Sequence, residues 1–182
     1  MYEGKNGKAI RSQRWLSEAL CDLMQERAYE KIAIGDICAR ADLSRQTFYN
    51  LFDSKDEILH FGLRDAYEAQ FDLLAQQETL TAEDIVESFA NVVDSRRDLL
   101  DAMMKNQLGG ILSEEIHRCV SLFAGRFVPS DEKDEEFAYL EALTAGAVSG
   151  LLTFWLQQSE PISREKLSGI LSDFLEGSVY AV

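Results

Sequence analysis

The chain has 182 residues, 46% apolar and 27% charged, an ordinary globular composition for one large or two small domains. Its cysteines, Cys21, Cys38 and Cys119, are odd in number and include no C-x-x-C pair, and His117 and Cys119 do not share a helical face well. This argues against a disulfide framework or zinc site, and for a reducing, cytoplasmic setting. The net charge of −14 argues against a nucleic-acid partner until it is divided: residues 1–64 carry ten basic and ten acidic side chains, residues 65–182 eight and twenty-two.

Almost every segment has helical period. Leu16, Ala19, Leu20, Leu23 and Met24 form an i, i+3, i+4, i+7, i+8 stripe, so a first helix is expected over Lys8–Arg27. A short second helix is expected over Ile34–Ala41, and a third over Ser44–Phe52 with Ser44 as its N-cap. Ser54 and Glu57 read as a capping box opening a long fourth helix to about Gln77. Thr81 and Asp84 start a fifth on the stripe Ile85, Val86, Phe89, Val92, Val93, and Arg96–Asn106 and Gly110–Phe127 follow. The acidic run 131–136 reads as a loop feeding an eighth helix, where carboxylates favour the macrodipole. Within that helix Ala142–Leu156 is uncharged. At about 15 residues it falls short of the roughly 20 that a bilayer requires, so a buried helix is expected and no membrane partner. Ser163 caps a ninth helix that ends near Gly177. No strand alternation appears, so the fold class is all-α.

The segment Ile34–Phe52 carries the chemistry. Two helices crossing steeply through a tight turn need apolar residues at the crossing, which Ile37, Ala41, Leu43, Phe48 and Leu51 supply, and a small residue where they approach, here Cys38. The turn residue that must take positive φ is Asp42, which tolerates αL better than most non-glycine residues. With Phe48, Leu51 and Phe52 turned inward, Arg45, Gln46, Tyr49 and Asn50 face out. Arginine can donate a bidentate pair to guanine, and Gln or Asn can pair with adenine. The hydroxyls of Ser44, Thr47 and Tyr49 suit phosphate oxygens. Lys55 in the first turn of the fourth helix, and Lys8 with Arg11 one turn apart on the first, are further phosphate candidates.

The string Ala41-Asp42-Leu43-Ser44-Arg45-Gln46-Thr47-Phe48-Tyr49-Asn50-Leu51-Phe52-Asp53-Ser54-Lys55-Asp56-Glu57-Ile58-Leu59 closely resembles the DNA-binding signature of the TetR/AcrR family of transcriptional regulators. It departs at Asp42, where the family usually has glycine, and at Leu51, where many members have a histidine able to contact phosphate. The specific resemblance covers about residues 8–64. It implies an N-terminal three-helix helix-turn-helix domain over residues 1–54, with Lys8–Phe52 as its core. The fourth helix links this to a C-terminal bundle over residues 55–182 for dimerisation and effector binding. It also implies a homodimer on double-stranded operator DNA with an inverted repeat, and no cofactor. The small residues Ala142, Gly146 and Gly150, four apart, support close helix packing independently; with Leu167, Ile170, Leu171 and Phe174 they are the interface candidates.

For an effector pocket the bulky residues of the middle helices are candidates: Tyr67, Phe71, Phe89, Met103, Met104, Phe123, Phe127, Tyr139 and Trp155. The acidic surroundings suit a cationic or neutral small molecule better than an anion. The expected function is a repressor released by that molecule; the alternative is a TetR-like regulator or coactivator controlled by a partner protein. An enzyme is not expected, because no nucleophile elbow, phosphate loop, H-E-x-x-H motif or carboxylate dyad is present.

Overall fold

In a computed structural model of the protein, residues 1–2, 4, 6–128 and 135–177 are described, and all regular structure among them is helical. The helices are α1 (Gly7–Glu26), α2 (Ile34–Arg40), α3 (Arg45–Tyr49), α4 (Lys55–Leu74), α5 (Ala82–Ser95), α6 (Arg97–Lys105), α7 (Gly109–Phe127), α8 (Phe137–Gln157) and α9 (Arg164–Leu175). Most of the expected acidic run, residues 131–134, lies outside the described residues.

Helix starts follow side chains that accept the first free backbone N–H groups. Asn6, Ser44, Ser54, Thr81 and Ser163 each cap the helix that follows them. Glu57 reaches back one residue further than a capping box requires, taking the Asp53 N–H at 2.8 Å rather than that of Ser54. Two helices stop early: α3 at Tyr49, where Leu51 and Phe52 both donate to the Phe48 carbonyl, and α4 at Leu74. A single 3-10 turn over Tyr29–Lys31 is an element the periodicity gave no sign of; its Tyr29 is buried and its hydroxyl bonds to Asp56.

α4 is the central element and packs on α1, α5 and α7. At Gly62 a Cβ would lie 2.6 Å from Ser17 Oγ and 2.9 Å from Leu99 Cδ2, so a side chain there would displace both. Its carbonyl accepts from Arg96 Nε at 2.8 Å, and Asp65 one turn on pairs with Arg14 at 2.7 Å and Arg96 at 3.1 Å. Gln25 donates to the Asp98 carbonyl, Lys105 to that of Gln25, and the Tyr29 N–H to Asn106 Oδ1. The amino-terminal helices are thus held to α6 directly, besides their continuity with α4.

α8 corrects the expectation of a buried helix. It is longer than the uncharged stretch suggested, and by length and composition alone it is apolar enough to cross a membrane, with a mean hydropathy of 1.4 over its best window. Only one face is covered, through Ala145, Val148, Ser149, Leu152, Trp155 and Leu156. The other face exposes Tyr139, Leu140, Leu143 and Phe154, with Ala142, Gly146 and Gly150 between them. The interface candidates on α9 divide in the same way. Ile170 is exposed and Phe174 half-buried, but Leu167 and Leu171 point into the chain's own interior, where α9 meets α5. Those two do not belong to an outward face.

One carboxylate ties α7 to α4. Glu115 is buried and accepts from His60 Nδ1 at 2.7 Å, Tyr67 Oη at 2.7 Å and Arg64 Nε at 3.4 Å, with Arg118 Nε at 3.9 Å. His60, Arg64 and Tyr67 lie four and three residues apart, on one face of α4. Burial pushes the Glu115 carboxyl up, but the His60 and Tyr67 hydrogen bonds and the Arg64 and Arg118 charges outweigh it and hold the group below its ordinary 4.5. A carboxylate with a lowered folded pKa adds stability that is complete above the ordinary value and lost as pH falls through the lowered one. Glu115→Ala should therefore destabilise the fold by about 3 kcal/mol at neutral pH, since it removes the buried carboxylate that accepts from His60, Tyr67 and Arg64. The gap between variant and parent, measured by urea denaturation, should narrow as pH drops below 4.5.

Candidate nucleic-acid interface and an interior cavity

The turn between α2 and α3 is built from main-chain hydrogen bonds. The Leu43 N–H reaches back to the Cys38 carbonyl at 2.9 Å and the Asp42 N–H to that of Ala39 at 3.4 Å, with Asp42 at φ 52°. This is a Schellman closure, which needs one left-handed residue. Ile37 and Phe48 at the crossing are fully buried, and Cys38 is buried beside them. Burial pushes the Cys38 thiol up, as for a packing residue rather than a nucleophile. Phe48 stands 6.0 Å from the Phe52 ring, and Phe52 stands 5.8 Å from Phe61 of α4, so a ladder of rings fixes α3 on α4.

With that face buried, Arg45, Gln46, Tyr49 and Asn50 are exposed, Tyr49 at 56%. Gln46 Nε2 donates to Asn50 Oδ1 at 3.2 Å, which lines up two amide groups along one edge of the helix. The Arg45 guanidinium lies back over Gly35, whose missing side chain leaves room for it. Ser44 and Thr47 are engaged with each other: the Ser44 hydroxyl caps α3 by accepting the Thr47 N–H, and the two hydroxyls are 2.9 Å apart. Lys8 and Arg11 are exposed one turn apart on α1.

Lys55 is a correction. Its ammonium donates to the carbonyls of Tyr29 at 2.6 Å and Ile32 at 3.1 Å and sits 3.9 Å from the centre of the Tyr29 ring. This cation clamps the 3-10 turn to the start of α4 rather than pointing outward. Arg14, Arg27 and Arg40 are likewise paired with Asp65, Asp36 and Glu26. Among the described residues no carboxylate lies at ion-pair distance from Lys8, Arg11, Lys31 or Arg45. Sequence reasoning missed Gln13, a buried amide that donates to the Tyr2 carbonyl at 3.0 Å and so holds residues 1–2 against the corner of α3 and α4. Its place three residues before Leu16, on the apolar stripe, is the signal that marked it as interior.

A cavity of about 190 Å³ lies between α4, α5, α7, α8 and α9. Of the expected pocket residues, Tyr67, Phe71, Phe89 and Phe123 line it. The others do not. Met103 is fully buried in the main core, Met104 packs beside that core, and Phe127 stacks 4.8 Å behind Phe123. Tyr139 is 77% exposed on the outer face of α8. Trp155 is held elsewhere, its indole N–H on the Ile162 carbonyl at 2.7 Å and the Arg97 guanidinium over its ring. Unexpected in the lining are Glu115, Ser88, Cys119 and Thr144. Glu115 sits on the same helical face as Leu112, Ile116 and Cys119, and a carboxylate in an apolar stripe was the available clue. Burial pushes the Cys119 thiol up to about 12.

Residues 16–60 match the family described as bacterial regulatory proteins, tetR family. Over 52 residues the chain is 44% identical to the HTH-type dhaKLM operon transcriptional activator DhaS of Lactococcus lactis subsp. lactis (strain IL1403). That match spans 29% of this chain and 28% of the relative. The solved structure of Lin0861 from Listeria innocua superposes with a TM-score of 0.76 at 16% identity, covering 97% of this chain and 96% of that one. A TetR transcriptional regulator from Streptococcus agalactiae 2603V superposes at 0.56 with 19% identity, over 92% and 95% of the two chains. At these identities the two structures share the fold with this chain.

The left-handed turn residue can be tested directly. Asp42→Gly should stabilise the protein by up to about 1 kcal/mol by removing the Cβ penalty of the αL conformation, and Asp42→Val should destabilise it by about 1–2 kcal/mol. Chemical denaturation followed by circular dichroism measures both.

Proposed function

We propose that this chain, whose residues 16–60 match the bacterial regulatory proteins of the tetR family, binds operator DNA through α3 and controls transcription there. The observation that carries the reading is the division of α3: Phe48 locked inside behind a Schellman turn, with Arg45, Gln46, Tyr49 and Asn50 facing out. Residues 1–54 are the DNA-binding unit and residues 55–182 the regulatory and dimerisation unit. Arg45 and Gln46, at the start of α3, read base edges in the major groove, with Asn50 one turn behind. Tyr49, Lys8 and Arg11 hold phosphates; Ser44 and Thr47 shape the start of the helix, and Lys55 serves the fold.

Dimerisation uses the uncovered face of α8 with Ile170 and Phe174 of α9. Exposed apolar surface of that extent on a single chain is what an association face provides. Two heads related by a two-fold axis then call for an inverted repeat. The interior cavity takes a small effector, and its contact with α4 lets occupancy bias the heads. Release of a bound repressor is one outcome. A relative named as an operon activator supports the opposite sign, which in vitro transcription from the selected operator distinguishes.

Fragments retained from the genome by the purified protein should share an inverted repeat. Against that operator Arg45→Ala or Gln46→Ala should lose about 1–3 kcal/mol, and less against random DNA. Lys8→Ala or Arg11→Ala should weaken both DNAs by similar factors and lower the salt slope by about one per lost contact. Loss of discrimination on removing Lys8, with Arg45→Ala affecting all DNA equally, would reverse the assigned roles.

A Cβ at Gly146 or Gly150 meets nothing within 4 Å in its own chain. Gly146→Leu therefore disturbs association without crowding the subunit. Light scattering at micromolar concentration should give a dimer for the parent and a folded monomer for the variant. A monomeric parent refutes the interface.

A further inference from the structure

We infer that the interior cavity selects a small, uncharged, largely apolar molecule of roughly six to ten non-hydrogen atoms. This rests on reading the cavity as an effector site. Size comes from the volume: about 190 Å³ is a little more than the roughly 150 Å³ of an apolar cavity that admits benzene. Shape and polarity come from the walls, which Phe71, Phe123, Val148 and Leu171 help make apolar, with Glu115, Cys119 and the Ser88 and Thr144 hydroxyls as the polar groups in the lining.

Charge is excluded from both directions. The carboxylate at the wall, Glu115, already accepts from Tyr67, Arg64 and His60 and has the Arg118 guanidinium nearby, so its charge is compensated from within the protein. A ligand cation would have to be desolvated against a carboxylate that two guanidiniums already balance. A ligand anion would be buried beside Glu115 with no cationic group lining the cavity. The acidity of residues 65–182 therefore does not reach the cavity, and a preference for cations does not follow from it.

The test is thermal unfolding of the full chain with benzene, toluene, indole and naphthalene against benzoate and benzylammonium, which match them in size but are ionised at neutral pH. At concentrations about a hundredfold over Kd, at least one neutral compound should raise Tm by roughly 5 °C, and the ions by less than about 1 °C. Val120→Phe, which fills the cavity from α7, should abolish the shift, and Ser88→Leu supplies the same block from α5 should the larger ring prevent folding. A Val120→Phe-sensitive shift with either ion equal to that of the neutral compounds overturns the inference, as does no shift with any neutral compound. Retention of operator DNA by the same samples separates the two readings. Neutral ligands that bind without altering retention leave the ligand class standing and sink the effector role. A charged metabolite that alters retention, with no neutral binding, sinks the ligand class and leaves the effector role standing.

Discussion

At Gly62 a hydrogen in place of a side chain lets α1, α4 and α6 pass within contact of one another, where a Cβ would meet Ser17 and Leu99. The close approach brings the Gly62 carbonyl within reach of Arg96, which also binds Asp65, and Asp65 in turn holds Arg14 of α1. Three helices are pinned at one level of α4. Above it, Ile58, Leu59 and Phe61 close the core of the amino-terminal helices; below it, Tyr67, Phe71 and Leu74 face the cavity. A single rigid helix thus belongs to both packing systems.

The same economy governs charge. Half of the ten basic residues in residues 1–64 serve the fold: Arg14, Arg27, Arg40, Lys55 and Arg64 are held by carboxylates or carbonyls of the chain. A net charge of zero in this part therefore conceals a surface on which Lys8, Arg11, Lys31 and Arg45 lack acidic partners among the described residues. Long-range attraction to a polyanion depends on such locally uncompensated cations.

The outer face of α8 shows how a helix can be amphipathic in exposure without being so in composition. Both of its faces are apolar, so the periodic contrast that marks a surface helix is missing. The difference lies in what covers them: Val148, Leu152 and Trp155 pack inward, while on the outer face Ala142, Gly146 and Gly150 form a shallow strip between Tyr139, Leu143 and Phe154.

Backbone conformation was legible wherever a single turn decides it. Asp42 takes the left-handed conformation its place between two apolar helices demands, and Ser44, Ser54, Thr81 and Ser163 cap the helices they precede. Of the residues expected at the crossing, Ile37, Cys38, Phe48 and Leu51 are buried, and Ala41 and Leu43 are partly so. The destinations of long side chains were not legible. Lys55 turns to the Tyr29 and Ile32 carbonyls, and Met103 and Trp155 are held away from the cavity that Phe89 and Phe123 line. Glu115 is neutralised by residues about fifty positions away on α4. Caps and turns draw on partners within four residues, so the local sequence contains their whole cause. Cavity walls and buried ion pairs depend on which distant helix returns to cover a face, and that is settled only when all the helices pack together.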